Sequence, residues 1–515
     1  MQATRRRGAV APRVVLRWLE SGRWSVLAAV LALATLFRLP YAWAPLSSDE
    51  GGFLLVAHQW VTTEGSLYGN QWVDRPPGLL IVFRAADVLS EALGDRLALR
   101  LVALALVVVA VVAAWFAGGV VAGSRGAVAA ALTLTALTST PVFSGPRLTT
   151  GLPGVALVAV GVACALSATY DARGRRGRAL LAAAAGAAGA SALLMKQNYA
   201  DGLVFALVLW TVAGARGRRL ILPGAAGAAV PLLATLWWAA TGPGVGAVWE
   251  ALYGFREQAL SVILSSSTVA PAERALTFAL AVVASGAALL AGVTVWTIVR
   301  ERRHAVAIAT LALLGWAVFG IVGGGSWWRH YALQLAVPLA LGAALAVRSG
   351  LLRTVRVAIA LSLVSTLVAV AWLTPALVRG WPSSGTAAGE WIHDHASPGD
   401  SGLVAYGSPQ VLRVGGLAAP YEYSWSLPTR VRDPDLVEMT AVLSGADAPE
   451  WLVEMGSFTW WGIDTDAFRS VVASRYREVA DVCGHRIYLR IDVRRDIAGP
   501  TRWCPDLFGR TTGSS

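Results

Sequence analysis

An isolated acidic pair, Asp49 and Glu50, stands where the first apolar run of the chain ends. The run covers residues 24–44, and the pair follows it in the stretch "PLSSDEGGFLLVAHQW". An ionised carboxylate in such a place can act as a general base that accepts a proton from a reacting group. The same residues also fit a capping box, in which Ser47 and Glu50 begin a helix. The stretch alone leaves both interpretations open.

The same connection carries a second charged pair in the stretch "GSLYGNQWVDRPPGLLIVF". Asp74 and Arg75 precede Pro76 and Pro77, and these prolines fix the backbone just before another apolar helix. A guanidinium there can stabilise an anion, and a carboxylate can take up a proton. Two charged pairs, a rigid turn and several aromatic residues are more than a simple link between helices requires.

The elements that must position these residues are membrane-spanning helices. The chain of 515 residues is 56% hydrophobic and only 14% charged, and its mean hydropathy is +0.58. A soluble protein of this length needs more charge to cover its surface, so the composition indicates a polytopic α-helical membrane protein. The net charge of +12 comes from short Arg clusters between apolar runs. That distribution is typical of cytoplasmic loops and argues against nucleic acid as a partner.

About eleven apolar tracts are long enough to cross a bilayer as helices. Alternate connections carry Arg clusters, whereas the connections between them carry scattered cations. This asymmetry predicts a cytoplasmic N-terminus, and an odd number of spans then places the segment after Pro375 outside the cell. The predicted spans cover residues 24–44, 97–122, 127–144, 150–169, 179–195, 200–214, 220–240, 276–299, 305–323, 331–347 and 355–376.

The composition changes after residue 378, where Pro, Asp, Glu and Ser return. We therefore expect a transmembrane domain over residues 1–378, with long outer loops at 45–96 and 241–275. A small α/β domain on the outer face is expected over residues 379–515. Its predicted strands are 401–407, 450–455 and 485–491, and its predicted helices lie in "DPDLVEMTAVLSG" and "DTDAFRSVVASRY".

Two of the three cysteines, Cys483 and Cys504, lie in this C-terminal part of the chain. They can form a disulfide if that part faces an oxidising compartment. Two sulfurs alone do not decide the matter, so the pairing stays open at this point.

The stretch "SDEGGFLLVAHQWVTTEGSLYGNQWVDRPPGLL" resembles the first outer loop of the GT-C membrane glycosyltransferases. The resemblance is to the family 39/83 branch, which includes protein O-mannosyltransferases and aminoarabinose transferases. In that branch an acidic "DE" follows the first span, and a "KPP"-like turn comes later. Here the turn reads "DRPP", so Arg75 keeps the cation but changes its geometry. Similar stretches are "WWRHYALQLAVPLALGAAL", "LLMKQNYADG" and "WIHDHASPGDSGLVAYGSPQVL".

The resemblance implies transfer of a sugar, with inversion, from a polyprenyl-phosphate donor to an acceptor at the outer face of the plasma membrane. The departing phosphate needs cations, and the acceptor hydroxyl needs a base. The implied base is Asp49, with Glu50 as a supporting carboxylate that orients the acceptor or a metal. Asp74 is implied to bind the acceptor or to support the other groups. The candidate donor-phosphate ligands are Arg75, Lys196, Arg329, His330 and Tyr331.

These residues also have simpler interpretations. Arginines at the ends of spans commonly extend to lipid headgroups, as Arg75 and Arg329 can. Lys196 is the only Lys in the chain, and a single Lys at a span end can be there by chance. His330 and Tyr331 fit a polar packing pair better than a metal site. The carboxylates of the acidic pair suit Mg or Mn, and the metal requirement stays open.

A secondary transporter or lipid flippase is the alternative function. It predicts inverted repeats and helices broken at mid-membrane, and the sequence has no convincing internal repeat. The ionisable residues gather at one face of the predicted membrane domain, which favours the transferase. A sensor with a ligand-binding outer domain is the third hypothesis. The sugar, and whether the acceptor is a protein, a lipid or a polysaccharide, are not determined by the sequence.

Overall fold

The structure is a computed structural model, and it describes residues 23–62, 66–265, 270–379, 383–458, 463, 465–497 and 502–504. The basic N-terminal segment, which contributes to the predicted orientation in the membrane, lies outside these residues. The described part consists of a helical bundle followed by a smaller domain built on a β-sheet.

The helical bundle extends from Arg23 to Val378. Short 3₁₀ segments cover Leu39–Trp43, Pro141–Phe143 and Arg329–Leu335, and a π-helical turn covers Glu250–Gly254. In chain order the α-helices are α1 (Arg23–Arg38), α2 (Ser48–Thr62), α3 (Pro77–Leu93), α4 (Asp95–Ser139), α5 (Leu152–Tyr170), α6 (Arg175–Leu193), α7 (Asp201–Val212), α8 (Ala215–Arg218), α9 (Ile221–Thr241), α10 (Val245–Trp249), α11 (Phe255–Ser265), α12 (Ala270–Ala284), α13 (Ala287–Arg300), α14 (Ala305–Gly323), α15 (Ala336–Arg348) and α16 (Leu352–Val378).

Seven helical segments within the described ranges are long and apolar enough to cross a membrane. The number rises to eight if the pair Ala272–Ala284 and Ala287–Arg300, which is bent by 73°, forms one span. The chain is therefore a polytopic α-helical membrane protein, as its composition predicts. The expected number of eleven spans stays a prediction.

Helix α4 contains two of the predicted spans, because the chain reverses inside it. Ala122 and Gly123 leave the helical conformation, and Gly123 has a φ of 64°. A Cβ built on Gly118 would lie 2.7 Å from the Cβ of Ala130. In a continuous helix these two residues would be about 18 Å apart, so the two arms of α4 fold back on each other.

Several Arg-rich connections of the bundle gather at one end. Arg348, at the end of α15, lies close to Tyr170 and to His304. The hydroxyl of Ser349 donates a hydrogen bond to Glu301 over 3.1 Å. The connections after α5, α13 and α15 therefore lie side by side, as the alternation of basic connections in the sequence predicts.

The smaller domain contains one mixed five-stranded sheet in the order β1-β2-β4-β3-β5. β2 runs parallel to β1 and antiparallel to β4, while β3 runs antiparallel to β4 and parallel to β5. This sheet confirms the expected C-terminal α/β domain. The strands are β1 (Gly402–Ala405), β2 (Trp451–Glu454), β3 (Tyr476–Val482), β4 (His485–Arg490) and β5 (Arg502–Trp503), and the helices are α17 (Ser384–His395), α18 (Gln410–Gly415), α19 (Ser426–Arg432), α20 (Val437–Ser444) and α21 (Asp466–Arg475).

The sheet domain closes its own core and also packs on the bundle. Trp451, Val482 and Ile487 are buried between the sheet and its helices. Leu55 of α2 joins the same apolar cluster, so the helix that follows the first span belongs to both parts of the molecule. Cys483 and Cys504 form a disulfide that ties the end of β3 to the residue after β5.

Candidate active site

The acidic pair lies in the first turn of α2, and its second member caps that helix. The backbone N–H of Ser47 donates to the Glu50 carboxylate over 3.1 Å, and the N–H of Glu50 donates to the Ser47 hydroxyl over 3.3 Å. These reciprocal bonds satisfy backbone donors at the start of the helix. The capping box, one of the two interpretations that the sequence left open, is present.

The Glu50 carboxylate is also the centre of a buried ion-pair network. Arg100 pairs with it, Arg147 donates to it over 3.0 Å, and so does the backbone N–H of Leu148 over 3.0 Å. Burial opposes the ionisation of Glu50, but the two guanidinium groups and the hydrogen bonds outweigh burial and lower its pKa to about 2. Glu50 is thus ionised at neutral pH, and its oxygens are engaged by N–H groups of the protein.

Asp49 lies in a different environment although it is the next residue. Its carboxylate is partly buried and accepts a hydrogen bond from the indole N–H of Trp425 over 3.3 Å. Burial raises the pKa of Asp49, and the nearby carboxylates of Asp74 and Glu50 act in the same direction. Arg75 and the Trp425 hydrogen bond oppose that rise. A carboxylate with a raised pKa is a stronger base while it is still ionised near neutral pH.

The second charged pair lies beside Asp49 and has its own partners. A terminal nitrogen of Arg75 donates to the Asp74 carboxylate over 2.7 Å, and Arg256 of α11 pairs with the same oxygen. Burial opposes the ionisation of Asp74, but Arg256 and Arg75 outweigh it and lower its pKa. The hydroxyl of Tyr68 donates to the carbonyl of Arg75 over 2.7 Å and holds the turn.

Lys196 reaches the same place from the end of α6. Its ammonium lies 3.7 Å from the centroid of the Tyr331 ring, and its side chain is buried. Burial lowers the pKa of Lys196 well below its usual value, and the guanidinium groups of Arg75 and Arg256 lower it further. An anion placed among these cations would therefore be strongly favoured.

Backbone contacts fix the position of the Lys196 segment relative to the Arg75 turn. The N–H of Leu79 donates to the carbonyl of Leu194 over 3.1 Å, and the Gln197 amide donates to the carbonyl of Asp74 over 3.3 Å. Gly78 allows this close approach, because a Cβ there would lie 2.7 Å from the Leu194 carbonyl oxygen. The two segments form one unit.

The remaining predicted residues are placed differently. His330 packs edge-on against Tyr331, with ring centroids 5.0 Å apart, and it lies near Lys196 and Arg75. Arg329 is exposed and lies near Tyr41, on the side of the Glu50 network. The structure thus brings Asp49, Asp74, Arg75, Lys196 and Tyr331 together, with His330 at the edge and Arg329 apart.

Two residues of the cluster were not among the predicted site residues. Arg256 appears in the sequence only as one of several scattered cations in outer loops, and its proximity to Asp74 depends on how α11 packs. Trp425 comes from the C-terminal domain, far from Asp49 in the chain. The sequence contains no local pattern that links it to the acidic pair.

Two solved structures with a similar fold are those of ArnT and of an oligosaccharyltransferase. ArnT from Cupriavidus metallidurans bound to undecaprenyl phosphate matches with a TM-score of 0.62 and 16% identity, over 94% of this chain and 100% of that chain. The Archaeoglobus fulgidus oligosaccharyltransferase in complex with Zn and sulfate matches with a TM-score of 0.54 and 14% identity, over 88% of this chain and 71% of that chain. Both proteins are members of the GT-C superfamily.

The chain has the GT-C fold. The apo form of the same ArnT matches over 93% of this chain and 100% of that chain, with a TM-score of 0.59 and 15% identity. No protein-family model matches the sequence. No curated protein matches it either. At these identities the likeness concerns the GT-C fold, and it agrees with the fold that the sequence resemblance implies.

The donors around Asp49 do not suit a divalent cation. Magnesium and manganese take several oxygen ligands with free lone pairs. The Glu50 oxygens are engaged by Arg100, Arg147 and N–H groups, and Asp74 is paired with two arginines. Within the described ranges, no three His, Cys, Asp or Glu side chains come together as a metal site. The zinc in the oligosaccharyltransferase structure is a property of that protein.

Proposed function

We propose that this protein transfers a sugar from a polyprenyl-phosphate carrier to an acceptor hydroxyl at the outer face of the plasma membrane, with inversion. One observation carries the proposal: Asp49 and the cations of Arg75, Arg256 and Lys196, which come from separate segments, surround one place in a GT-C fold. The undecaprenyl phosphate bound to the structurally similar ArnT supports a donor of this class.

In the proposed reaction the acceptor oxygen attacks the anomeric carbon of the sugar from the side opposite the phosphate. The bond between that carbon and the phosphate oxygen breaks, and its electron pair leaves with the phosphate. Asp49 takes the proton of the acceptor hydroxyl as the new bond forms. A single displacement of this kind inverts the anomeric carbon.

The cluster contains more cations than carboxylates, which supports a reaction in which negative charge builds up on the leaving phosphate. Arg75, Arg256 and Lys196 face Asp49 and Asp74, so the cluster is one charge positive when all five groups are ionised. The donor phosphodiester carries one negative charge, and the released monoester gains a second. Cations that bind the leaving group more strongly as its charge grows lower the barrier to reaction.

The C-terminal domain supports the assignment to the outer face. The Cys483–Cys504 disulfide is typical of an oxidising compartment. The clustered basic connections at the other end of the bundle suit the cytoplasmic side. The acceptor is a protein, a lipid or a polysaccharide of the cell envelope, and membrane lipid surrounds the bundle.

The first prediction concerns Asp49. Membranes containing the Asp49→Asn variant should transfer sugar from labelled polyprenyl-phosphate mannose, arabinose, aminoarabinose or galactosamine at least about 100-fold more slowly than wild-type membranes, because the amide cannot accept the proton. The matched control is Asp435→Asn, which changes an exposed carboxylate of the C-terminal domain. Transfer by Asp49→Asn at the wild-type rate, at equal protein level, would exclude Asp49 as the base.

A transporter or lipid flippase is the second candidate because of one sharply bent pair of apolar helices. Ala272–Ala284 and Ala287–Arg300 meet at 73°, as in the broken helices of transporters. The break is built from Ser285 and Gly286, and Gly286 faces Ser362. These small residues suit close helix packing, whereas the charged cluster lies around Asp49. The transfer assay separates the two functions.

A further inference from the structure

Helix α2, which carries Asp49, is covered on one side by the C-terminal domain. Two glycines directly follow the acidic pair and allow that contact. A Cβ on Gly51 would lie 2.6 Å from the Cα of Gln410, and a Cβ on Gly52 would lie 2.5 Å from both Pro409 and the Trp425 ring. Such distances are shorter than packed carbon atoms tolerate. Only glycine at these positions lets the domain approach so closely.

Trp425 occupies the point where this contact reaches Asp49. Its indole N–H donates to the Asp49 carboxylate over 3.3 Å. Its ring packs on Phe53 with centroids 5.0 Å apart, and Phe53 packs in turn on Phe83 of α3 at 5.2 Å. The indole is therefore held by apolar contacts on its faces while its polar edge is directed at the carboxylate.

Further polar contacts hold the domain in the same position on the bundle. The side-chain amide of Gln59 bonds both backbone groups of Ala419, at 3.1 and 3.4 Å. Arg413 pairs with Asp87 and with Asp95, each at 2.8 Å. The domain therefore contacts α2 near its start, at Gly51 and Gly52, and near its end, at Gln59, and it is also bonded to α3 and α4.

We infer that Trp425 is a positioning residue for Asp49, and that the C-terminal domain thereby completes the active site. The inference rests on the proposed function and extends it to a residue outside the bundle. The indole engages one oxygen of the carboxylate, Oδ1, and leaves the other for the proton of the acceptor.

The charged groups around Asp49 come from its own helix and from three other parts of the bundle. Arg75 and Asp74 belong to the turn before α3, Lys196 follows α6, Arg256 of α11 pairs with Asp74, and Glu50 is the neighbour on α2. None of these is changed when Trp425 is replaced. A change in the titration of Asp49 in a Trp425 variant therefore reports on the indole hydrogen bond.

The decisive variant is Trp425→Phe, which keeps an aromatic ring against Phe53 but removes the N–H donor. Because a hydrogen bond to the ionised carboxylate lowers its pKa, losing that bond should raise the pKa of Asp49. Asp49 works only when ionised, so the acid limb of the pH profile of kcat/KM should move to higher pH by about one pH unit. Near the bottom of that limb the variant should be about tenfold slower than the wild type, and this deficit should shrink as the pH rises.

A purely structural role for Trp425 would lower activity by the same factor at every pH. That result, or a pH profile identical to the wild type, would overturn the inference. Donor KM should stay near the wild-type value, because the cation cluster is untouched. A large rise in KM with an unshifted profile would likewise contradict a positioning role.

A second variant tests whether the interface itself matters. Gly52→Ala should lower kcat/KM by about tenfold or more, because the added methyl group pushes Trp425 and Pro409 away from α2. The control is Gly246→Ala on α10, where a Cβ would meet nothing within 4 Å, and it should keep wild-type activity. Equal activity of the two variants would overturn the inference.

A measurement that needs no glycosyl transfer keeps this inference separate from the proposed function. In a double-mutant cycle, Asp49→Ala, which removes the acceptor, and Trp425→Phe should shift the thermal midpoint of the purified full-length protein non-additively if the two side chains are bonded. Additive shifts would exclude the hydrogen bond. If the cycle shows coupling while wild-type membranes transfer no sugar, the proposed function fails and the contact stands.

Discussion

Asp49 and Glu50 are adjacent in the chain, but their surroundings give them opposite properties. Arg100 and Arg147 hold Glu50 ionised and lower its pKa to about 2, whereas burial raises the pKa of Asp49. When their surroundings separate the pKa values of two carboxylates, the two groups can play different roles in one site. The sequence predicted the pair and its capping box. It did not indicate which member is engaged, because the two arginines approach from α4 and from the segment before α5.

The Glu50→Gln variant should lower the free energy of unfolding at neutral pH by about 3–5 kcal/mol, since it leaves two guanidinium groups without their buried partner. The folded-state pKa of Glu50 is depressed from 4.5 to about 2. Its stabilisation is therefore present above pH 4.5 and is lost as the pH falls toward 2. Denaturation in detergent at several pH values measures this, with Glu91→Gln on the exposed end of α3 as the control. A loss that does not depend on pH would contradict the ion-pair account.

At the scale of elements, close helix packing depends on small residues at defined crossings. Gly186 of α6 meets the backbone of Gly224 on α9, and Gly227 of α9 meets the backbone of Ala183. In lipid, helices associate through such close contacts because burial of apolar surface contributes little. The Ala- and Gly-rich composition of these helices suits this kind of packing, and the structure shows which helices use it.

A Gly227→Leu substitution should separate α6 from α9 and lower the thermal midpoint in detergent by several degrees, about 1–3 kcal/mol of overpacking. Gly292→Leu on α13 is the matched control, because a Cβ there would meet nothing within 4 Å. If both variants melt at the same temperature, the α6–α9 contact is not a determinant of stability.

Strand β3 is an element that the sequence did not reveal. Its buried and exposed residues do not alternate, because the register with β4 shifts between Glu478 and Ala480. Such an irregularity removes the two-residue period by which strands are recognised.

The strands at 402–405, 451–454 and 485–490 were predicted correctly, because each is a short apolar run flanked by turn residues. The fold-back in α4 was predicted only as a short connection between two spans.

At the scale of the whole molecule, the site combines parts that are distant in the chain. Asp49 and Arg75 share one loop, so a local motif could predict both. Lys196 was singled out because it is the sole Lys and lies in a stretch that resembles the family, whereas Arg256 and Trp425 join the cluster through tertiary packing. Contacts between remote segments leave no local periodicity or spacing in a single sequence, and the resemblance to GT-C enzymes supplied the fold that brings them together.

The orientation of the whole molecule can be tested through the disulfide. In a Cys164→Ser background, Cys483→Ser frees Cys504, and a membrane-impermeant maleimide added to intact cells should label it. The protein with both cysteines should be labelled only after reduction. A Gly174→Cys variant, in the basic connection between α5 and α6, should react only after the membrane is opened. The reverse pattern would place the C-terminal domain in the cytoplasm.

The direct bonds between the Arg75 turn and the Lys196 segment have a consequence for selectivity. The N–H of Leu79 is bonded to the carbonyl of Leu194, and the Gln197 amide to that of Asp74. The cation cluster that would bind a phosphate is therefore held in place before any ligand binds. Phosphate is the part that all isoprenoid-linked sugars have in common. A rigid phosphate site would bind every carrier equally well. Selectivity between one sugar and another would then depend on the side chains that contact the sugar ring.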